Sequence, residues 1–229
     1  MFREYWLHLR KLLIRHNKRP GIFLLICLAF TVFPTPVMQA STSVTIDKIQ
    51  QMEQKSQGDI KKRFRAWVNL ITSLQNKPVE VQLEKVNSFF NQFHFETDEQ
   101  SEGVEDYWKS PDEFIIDGGG DCEDYAIIKY FTLITLGVPT ERLRITYVTS
   151  LKLQQAHMVL SYYPSPEAEP LILDSLESHI MKASKRTDLK PIYSFNGEGL
   201  WLAKQRGQSS YMGQPNGLGK WDELLKRMQ

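Results

Sequence analysis

The chain has 229 residues, with 28 Lys plus Arg against 27 Asp plus Glu, so its overall charge points to neither a strongly acidic nor a strongly basic partner. A nucleic-acid binder would show a clustered basic excess, and that class is excluded. Two cysteines, Cys27 and Cys122, are too few for a disulfide-knit scaffold.

The N-terminus carries Arg3, Arg10, Lys11, Arg15, Lys18 and Arg19, then an apolar run from Gly21 to Phe33, then Pro34, Pro36 and Met38-Gln39-Ala40. That order predicts a secretory signal over residues 1–40 with cleavage after Ala40. An uncleaved anchor is the alternative, but prolines break the run before the ~20 apolar residues that a spanning helix needs. Without this segment, which holds six bases and one acid, 189 residues remain with 22 bases and 26 acids. That length suits one domain over 41–229, with no later stretch apolar enough to insert in a membrane. Cys27 leaves with the signal, so Cys122 remains as a lone thiol. In an oxidising compartment such a thiol is either buried and inert or reactive.

Residues 41–58 are polar and read as a loose lead-in or a short helix. Ile60, Phe64, Trp67, Val68, Ile71 and Leu74 recur in steps of three and four, predicting an amphipathic helix that ends near Asn76, before Pro78. Leu83, Val86, Phe89, Phe90 and Phe93 predict a second helix. His94 to Asp106 is acidic and reads as a surface loop. Ser110-Pro111-Asp112-Glu113 has the form of a helix start, and Gly118-Gly119-Gly120 stops that helix early.

Asp121 opens the most apolar helix after the signal. Ala126, Ile127, Ile128, Tyr130, Phe131, Leu133, Ile134 and Leu136 cover nearly its whole circumference, which predicts a central, buried element ended by Gly137 and Pro139. The period then changes to two in Arg144–Thr149, His157–Tyr163 and Pro170–Asp174, predicting strands. Another strand is expected around Leu200-Trp201-Leu202, and Gly219 to Gln229 has the pattern of a terminal helix. The fold class expected is α+β, with helices first and then an antiparallel sheet packed on a central helix.

Cys122 falls in the first turn of that central helix, where unpaired N–H groups favour a thiolate. The three glycines before it would let a substrate backbone approach closely. Asp121, Glu123 and Asp124 oppose a thiolate by charge, so an imidazolium or a cation must offset them. His157 begins one strand and Asp174 ends the next. A hairpin across Pro164 to Glu167 would set His157 opposite Asp174, and a slip of two residues would keep both on one face. A carboxylate beside the imidazole fixes its tautomer and supports its charged form. Singly, His157 reads as a core histidine and Asp174 as a turn residue. Jointly with the thiol they predict a Cys122–His157–Asp174 triad, with the Cys122 N–H as an oxyanion donor. Tyr107 and Trp108, just upstream, either line a groove or pack in the core.

The segment Gly118-Gly119-Gly120-Asp121-Cys122-Glu123-Asp124-Tyr125-Ala126, followed by His157 and by Leu173-Asp174-Ser175, resembles the bacterial transglutaminase-like cysteine proteinases. It looks most like their periplasmic branch, which releases biofilm adhesins. The resemblance spans about Phe64 to Trp201. It implies a papain-like core and a thiol protease whose Cys, His and Asp fall on Cys122, His157 and Asp174. It also implies Ca²⁺ held by Asp121 and Glu123, with Asp124 and Asp117 as weaker candidates. The carboxylates otherwise read as ordinary complements to a helix dipole.

The substrate implied is a large adhesin protein cut near its N-terminus. The partner implied is the periplasmic domain of an inner-membrane cyclic di-GMP receptor, with an exposed Trp108 or Trp201 as a contact. Acyl transfer to an amine on the same triad, and a catalytically idle calcium-dependent binding module, stand as alternatives.

Overall fold

The computed structural model describes residues 44–98, 103, 106–203, 209–215 and 218–229, all within the unit Gln39–Gln229. The expected signal over 1–40, with Cys27 in it, lies outside the described residues.

Three helices come first. α1 (Ile46–Lys55) starts where the Thr45 side chain accepts the Lys48 N–H at 3.3 Å, so the polar lead-in is helical. α2 (Gly58–Leu74) buries Phe64, Trp67, Val68, Ile71 and Leu74 along the predicted stripe, and α3 (Val79–Phe90) follows Pro78. A short strand β1 (His94–Phe95) leaves α3. α4 (Pro111–Asp117) begins at Ser110, whose N–H donates to Glu113 Oε2 at 2.7 Å, completing a capping box. Gly118 closes α4 at φ +87°, a left-handed conformation that glycine adopts at no steric cost.

β2 (Gly119–Gly120) pairs in parallel with β1 and leads into α5 (Cys122–Thr135). Tyr125 through Leu133 are all buried on α5, which runs through the centre of the core. Ile127, Ile128 and Leu133 are fully buried, so cutting any of them to alanine would cost about 2–5 kcal/mol. One charge interrupts this apolar helix. Lys129 donates from Nζ to Asn87 Oδ1 on α3 at 2.8 Å and to Oδ1 of Asn91, which caps α3, at 2.6 Å.

The rest is an antiparallel sheet of seven strands in the order β6-β5-β4-β3-β7-β8-β9, followed by α6 (Gly219–Arg227). Its strands are β3 (Leu143–Ser150), β4 (Gln155–Tyr162), β5 (Leu171–Leu173), β6 (Met181–Lys182), β7 (Leu189–Phe195), β8 (Leu200–Ala203) and β9 (Ser209–Gly213). Met158, Leu160, Tyr162 and Leu173 turn into the main core, while Val148, Val159 and Ile172 form a small second cluster. The α+β class stands, and β6, β7 and β9 add to the four strands expected. β4 and β5 pair Leu160 with Leu173, two residues away from the register that sets His157 opposite Asp174. Parity is kept, so both side chains stay on one face. Among the described residues no helix is long and apolar enough to cross a membrane.

Candidate active site

Cys122 is the first residue of α5, and the chain reaches it through a strand that leaves no room for side chains. A Cβ on Gly119 would lie 1.9 Å from the His94 carbonyl oxygen, and one on Gly120 would lie 2.2 Å from Asp124 Oδ2. The space these glycines open is therefore filled by the protein's own chain, not by a substrate as the sequence suggested. β5 covers β4 only from Leu160 onward. Upstream of that point the Met158 N–H acts on the Cys122 sulfur, and α5 packs against β4, the strand that carries His157.

The thiol is not ready as it stands. Cys122 donates to Glu123 Oε2 at 3.0 Å. Burial, and then the Glu123 charge, push its pKa well above the ordinary thiol value, while the Met158 N–H pulls the other way.

His157 and Asp174 form a buried pair, 3% and 1% exposed at the side chain, with Nε2 to Oδ1 at 2.8 Å. With Nε2 committed to the carboxylate, Nδ1 has no hydrogen-bond partner among the described residues and is the nitrogen able to exchange a proton. Asp174 Oδ1 also accepts the Leu176 N–H at 3.0 Å, and Oδ2 accepts Arg186 Nη2 at 2.7 Å. Burial alone would raise this carboxyl, but the bonds from His157, Leu176 and Arg186 win and hold it at about 2. Asn91 Nδ2 holds the Asp174 backbone carbonyl at 2.8 Å, so the Lys129–asparagine cluster behind α5 also braces the loop that carries the acid.

Around the cysteine several carboxylates converge. Oxygens of Asp98, Asp121 and Asp124 lie within 4.8 Å of one another, as do those of Asp98, Asp106 and Glu123. Burial and the Glu123 charge push Asp121 up to about 9. Burial pushes Glu123 up to about 7, and with Asp121 it carries Asp124 well above the usual carboxylate range. Asp121 Oδ1 is buried with no hydrogen-bond partner. Crowded oxygens with raised proton affinity and an orphaned acceptor are the donor set a hard cation such as calcium takes, and the residues fit it.

Asp117 is not brought there. Its carboxylate meets Lys109 Nζ at 2.9 Å, which removes it from the expected ligands. Asp98 and Asp106 are the members that sequence reasoning missed. Asp98 accepts the Tyr107 N–H, and Asp106 Oδ2 also has Lys220 Nζ 3.8 Å away.

The model of the family described as bacterial transglutaminase-like cysteine proteinase matches residues 50–198, a span that includes Cys122, His157, Asp174 and the clustered carboxylates. The chain belongs to this family. A solved LapG from Legionella pneumophila is 66% identical over 83% of this chain and 100% of its own, with a TM-score of 0.76. The calcium-bound form of that protein matches at 66% identity and a TM-score of 0.73, covering 81% of this chain and 100% of its own. An EGTA-treated form matches at 65% and 0.76, covering 82% and 100%. No curated protein matches.

Two aromatic residues of this proteinase near the cysteine loop, Trp108 and Tyr107, are held by packing and hydrogen bonds. Trp108 is 7% exposed and stacks on Phe195 at 5.7 Å, with Nε1 donating to Asp106 Oδ1 at 2.8 Å. That burial corrects its expected role as an exposed partner contact. It also gives Trp108 a task, because the indole steers one of the clustered carboxylates. Tyr107 donates to Glu113 Oε1 at 2.9 Å and lies under the Arg227 guanidinium, so it too is held by neighbours. Trp201 is partly exposed, with Arg144 stacked 3.9 Å from its ring centre.

Proposed function

We propose that this chain is a calcium-dependent cysteine endopeptidase with Cys122 as nucleophile, His157 as acid and base, and Asp174 as the group that orients and charges His157. One observation carries the reading. The buried His157–Asp174 pair leaves Nδ1 for proton exchange, on the strand against which the helix that begins at Cys122 is packed.

The Cys122 thiolate attacks a peptide carbonyl carbon, with the Cys122 N–H as a donor to the oxygen that becomes charged. His157 passes its Nδ1 proton to the departing amine as the C–N bond breaks, leaving a thioester. His157 then takes a proton from water, which attacks the thioester and returns the thiol. Asp174 stays ionised throughout and stabilises the imidazolium at each proton transfer. Asp121, Glu123, Asp98 and Asp106 would hold the calcium, with Asp124 bracing Asp121. The bound ion would supply positive charge that offsets the carboxylates raising the Cys122 pKa.

The basic, apolar, small-residue order of the first forty residues supports export to the periplasm with cleavage after Ala40. The substrate in this reading, carried over from the resemblance of the cysteine segment, is a large cell-surface adhesin cut near its N-terminus so that a biofilm disperses. The resemblance read from the sequence adds control by the periplasmic domain of an inner-membrane cyclic di-GMP receptor as part of this proposal. Incubating the purified protein with an adhesin N-terminal fragment tests the reading. Wild type should cut it at one place, and Cys122→Ala should not cut it at all. An uncut fragment with wild type would overturn the substrate.

A further inference from the structure

Asp174 has a second charged neighbour that the proposed chemistry does not use. Arg186, 6% exposed, reaches Asp174 Oδ2 at 2.7 Å through Nη2 and shares that same nitrogen with Asp188 Oδ2 at 2.8 Å. Its Nε donates to Asp188 Oδ1 at 3.0 Å, so Asp188 binds the guanidinium with both oxygens, the stronger geometry for this pair. The result is a row of alternating charge, Asp188–Arg186–Asp174–His157, that starts at the surface and ends at the imidazole. Asp188 lies at the exposed end, with its side chain 38% exposed. The row is anchored at both ends, since the Asp188 carbonyl accepts the Leu151 N–H at 2.7 Å and Leu176 N–H bonds Asp174.

We propose that Arg186 and Asp188 are positioning residues that set the proton affinity of His157 through Asp174. Arg186 holds Oδ2 so that Oδ1 faces the imidazole, and Asp188 sets how much of the guanidinium charge reaches Asp174. The inference rests on the proposed roles of His157 and Asp174.

A carboxylate stabilises an imidazolium in proportion to the negative charge left on it, and a cation on its far oxygen withdraws some of that charge. Removing Arg186 therefore strengthens the hold of Asp174 on the imidazolium. Removing the charge of Asp188 lets Arg186 lean wholly on Asp174 and weakens it. A purely structural role for Arg186 predicts the reverse for its own loss, because an unpinned Asp174 would turn away from His157.

The other charged and titratable groups around the pair are few. Lys129 on α5 acts on Asp174 from behind, and Glu177 in the following loop acts on Arg186. Cys122 adjoins Met158 from the start of α5, with Glu123 beside it. On β3 the residue paired with His157 is Val148, which is uncharged.

The test follows the imidazole itself by NMR in the mature, calcium-loaded protein, with the His157 signal assigned by its loss in His157→Gln. Arg186→Met should raise the midpoint of the His157 titration, and Asp188→Asn should lower it, each by about half a pH unit. The alkaline limb of kcat/KM should move the same way in each variant, with kcat falling in Arg186→Met and KM nearly unchanged. Shifts of opposite sign support the proposal. Two unmoved midpoints, or a fall in both variants, overturn it. If Arg186→Met does not fold, Asp188→Asn decides alone, because that carboxylate lies partly in solvent. A wild type that fails to cleave would sink the protease reading, while the imidazole midpoints would still judge this one.

Discussion

His157 Nε2 lies 2.8 Å from Asp174 Oδ1, in a bond buried at both ends. Because Asp174 is held at about 2, it is a carboxylate throughout the neutral range and never competes for the proton of His157. Asp174→Asn keeps the shape and loses the charge, and it can present its N–H₂ to Nε2 and force the wrong tautomer. The expected loss is about 10³–10⁴-fold in kcat with a small change in KM, whereas Cys122→Ala should show no turnover. Steady-state kinetics on a peptide spanning the cleavage site would measure both. An Asp174→Asn variant with wild-type kcat would remove Asp174 from the chemistry.

A calcium chelator should abolish cleavage, and Ca²⁺ should restore it better than Mg²⁺, which demands a smaller octahedral shell. Asp121→Asn and Glu123→Gln should need far more calcium or fail. Asp98→Asn should behave like them, because its oxygens group with those of Asp121, Asp124, Asp106 and Glu123. Asp117→Asn should bind calcium as wild type does, since that carboxylate is engaged by Lys109. Titration calorimetry separates the two outcomes. Unchanged calcium affinity in Asp98→Asn would confine the site to the residues flanking Cys122.

The same carboxylates predict how the metal-free protein responds to pH. Asp121 and Glu123 have folded pKa values of about 9 and about 7, against 3.8 and 4.5 for the free groups. Between those limits the folded chain holds protons that the unfolded chain has released, so stability falls as pH rises. Lys129 acts in the opposite direction only above about 7, the value to which burial has lowered it. In excess chelator the urea midpoint should therefore fall between about pH 5 and 7, and saturating calcium should flatten that slope. A midpoint that rises over this range without metal would contradict the carboxylate cluster.

What the sequence made legible was whatever a local pattern carries. The α2 stripe, the Ser110 capping box, the apolar α5 and the strand-borne His157 are all periodicities or caps, and each stands in the structure, while Asp174 falls one residue past the end of β5. The β4–β5 register moved by two residues, because a hairpin register depends on a turn whose geometry periodicity does not encode. Asp98 and Asp106 were invisible for another reason. They sit in an acidic loop without a motif, and they reach Cys122 only because β1 pairs with β2 and draws that loop alongside. Lys129 and Arg186 were missed because nothing nearby in sequence announces their partners. The partners lie 42 and 38 residues from Lys129, and Arg186 meets Asp174 12 residues back.

Gly120 offers a test of whether the cysteine loop is built for its carboxylates. A Cβ there would stand 2.2 Å from Asp124 Oδ2 and 2.8 Å from Asp124 Cβ, closer than atoms can approach. Asp124 cannot simply swing aside. Its Oδ1 accepts the buried Lys109 N–H at 2.7 Å, and its Oδ2 accepts the Asp121 N–H at 3.2 Å. Gly120→Ala must therefore displace Asp121 and the start of α5, which carries Cys122. The expected cost is about 1–3 kcal/mol of stability, as for an overpacked core, with a larger proportional loss of calcium affinity and activity. Gly219→Ala, in the first turn of α6 with nothing within 4 Å of the added carbon, is the matched control. It should be neutral or stabilising by about 0.5–1 kcal/mol, since alanine is the better helix former. Urea denaturation and calcium titration of both variants decide the matter. A Gly120→Ala protein matching wild type in both would mean that the loop has slack, and that the Asp121–Asp124 brace does not set the site.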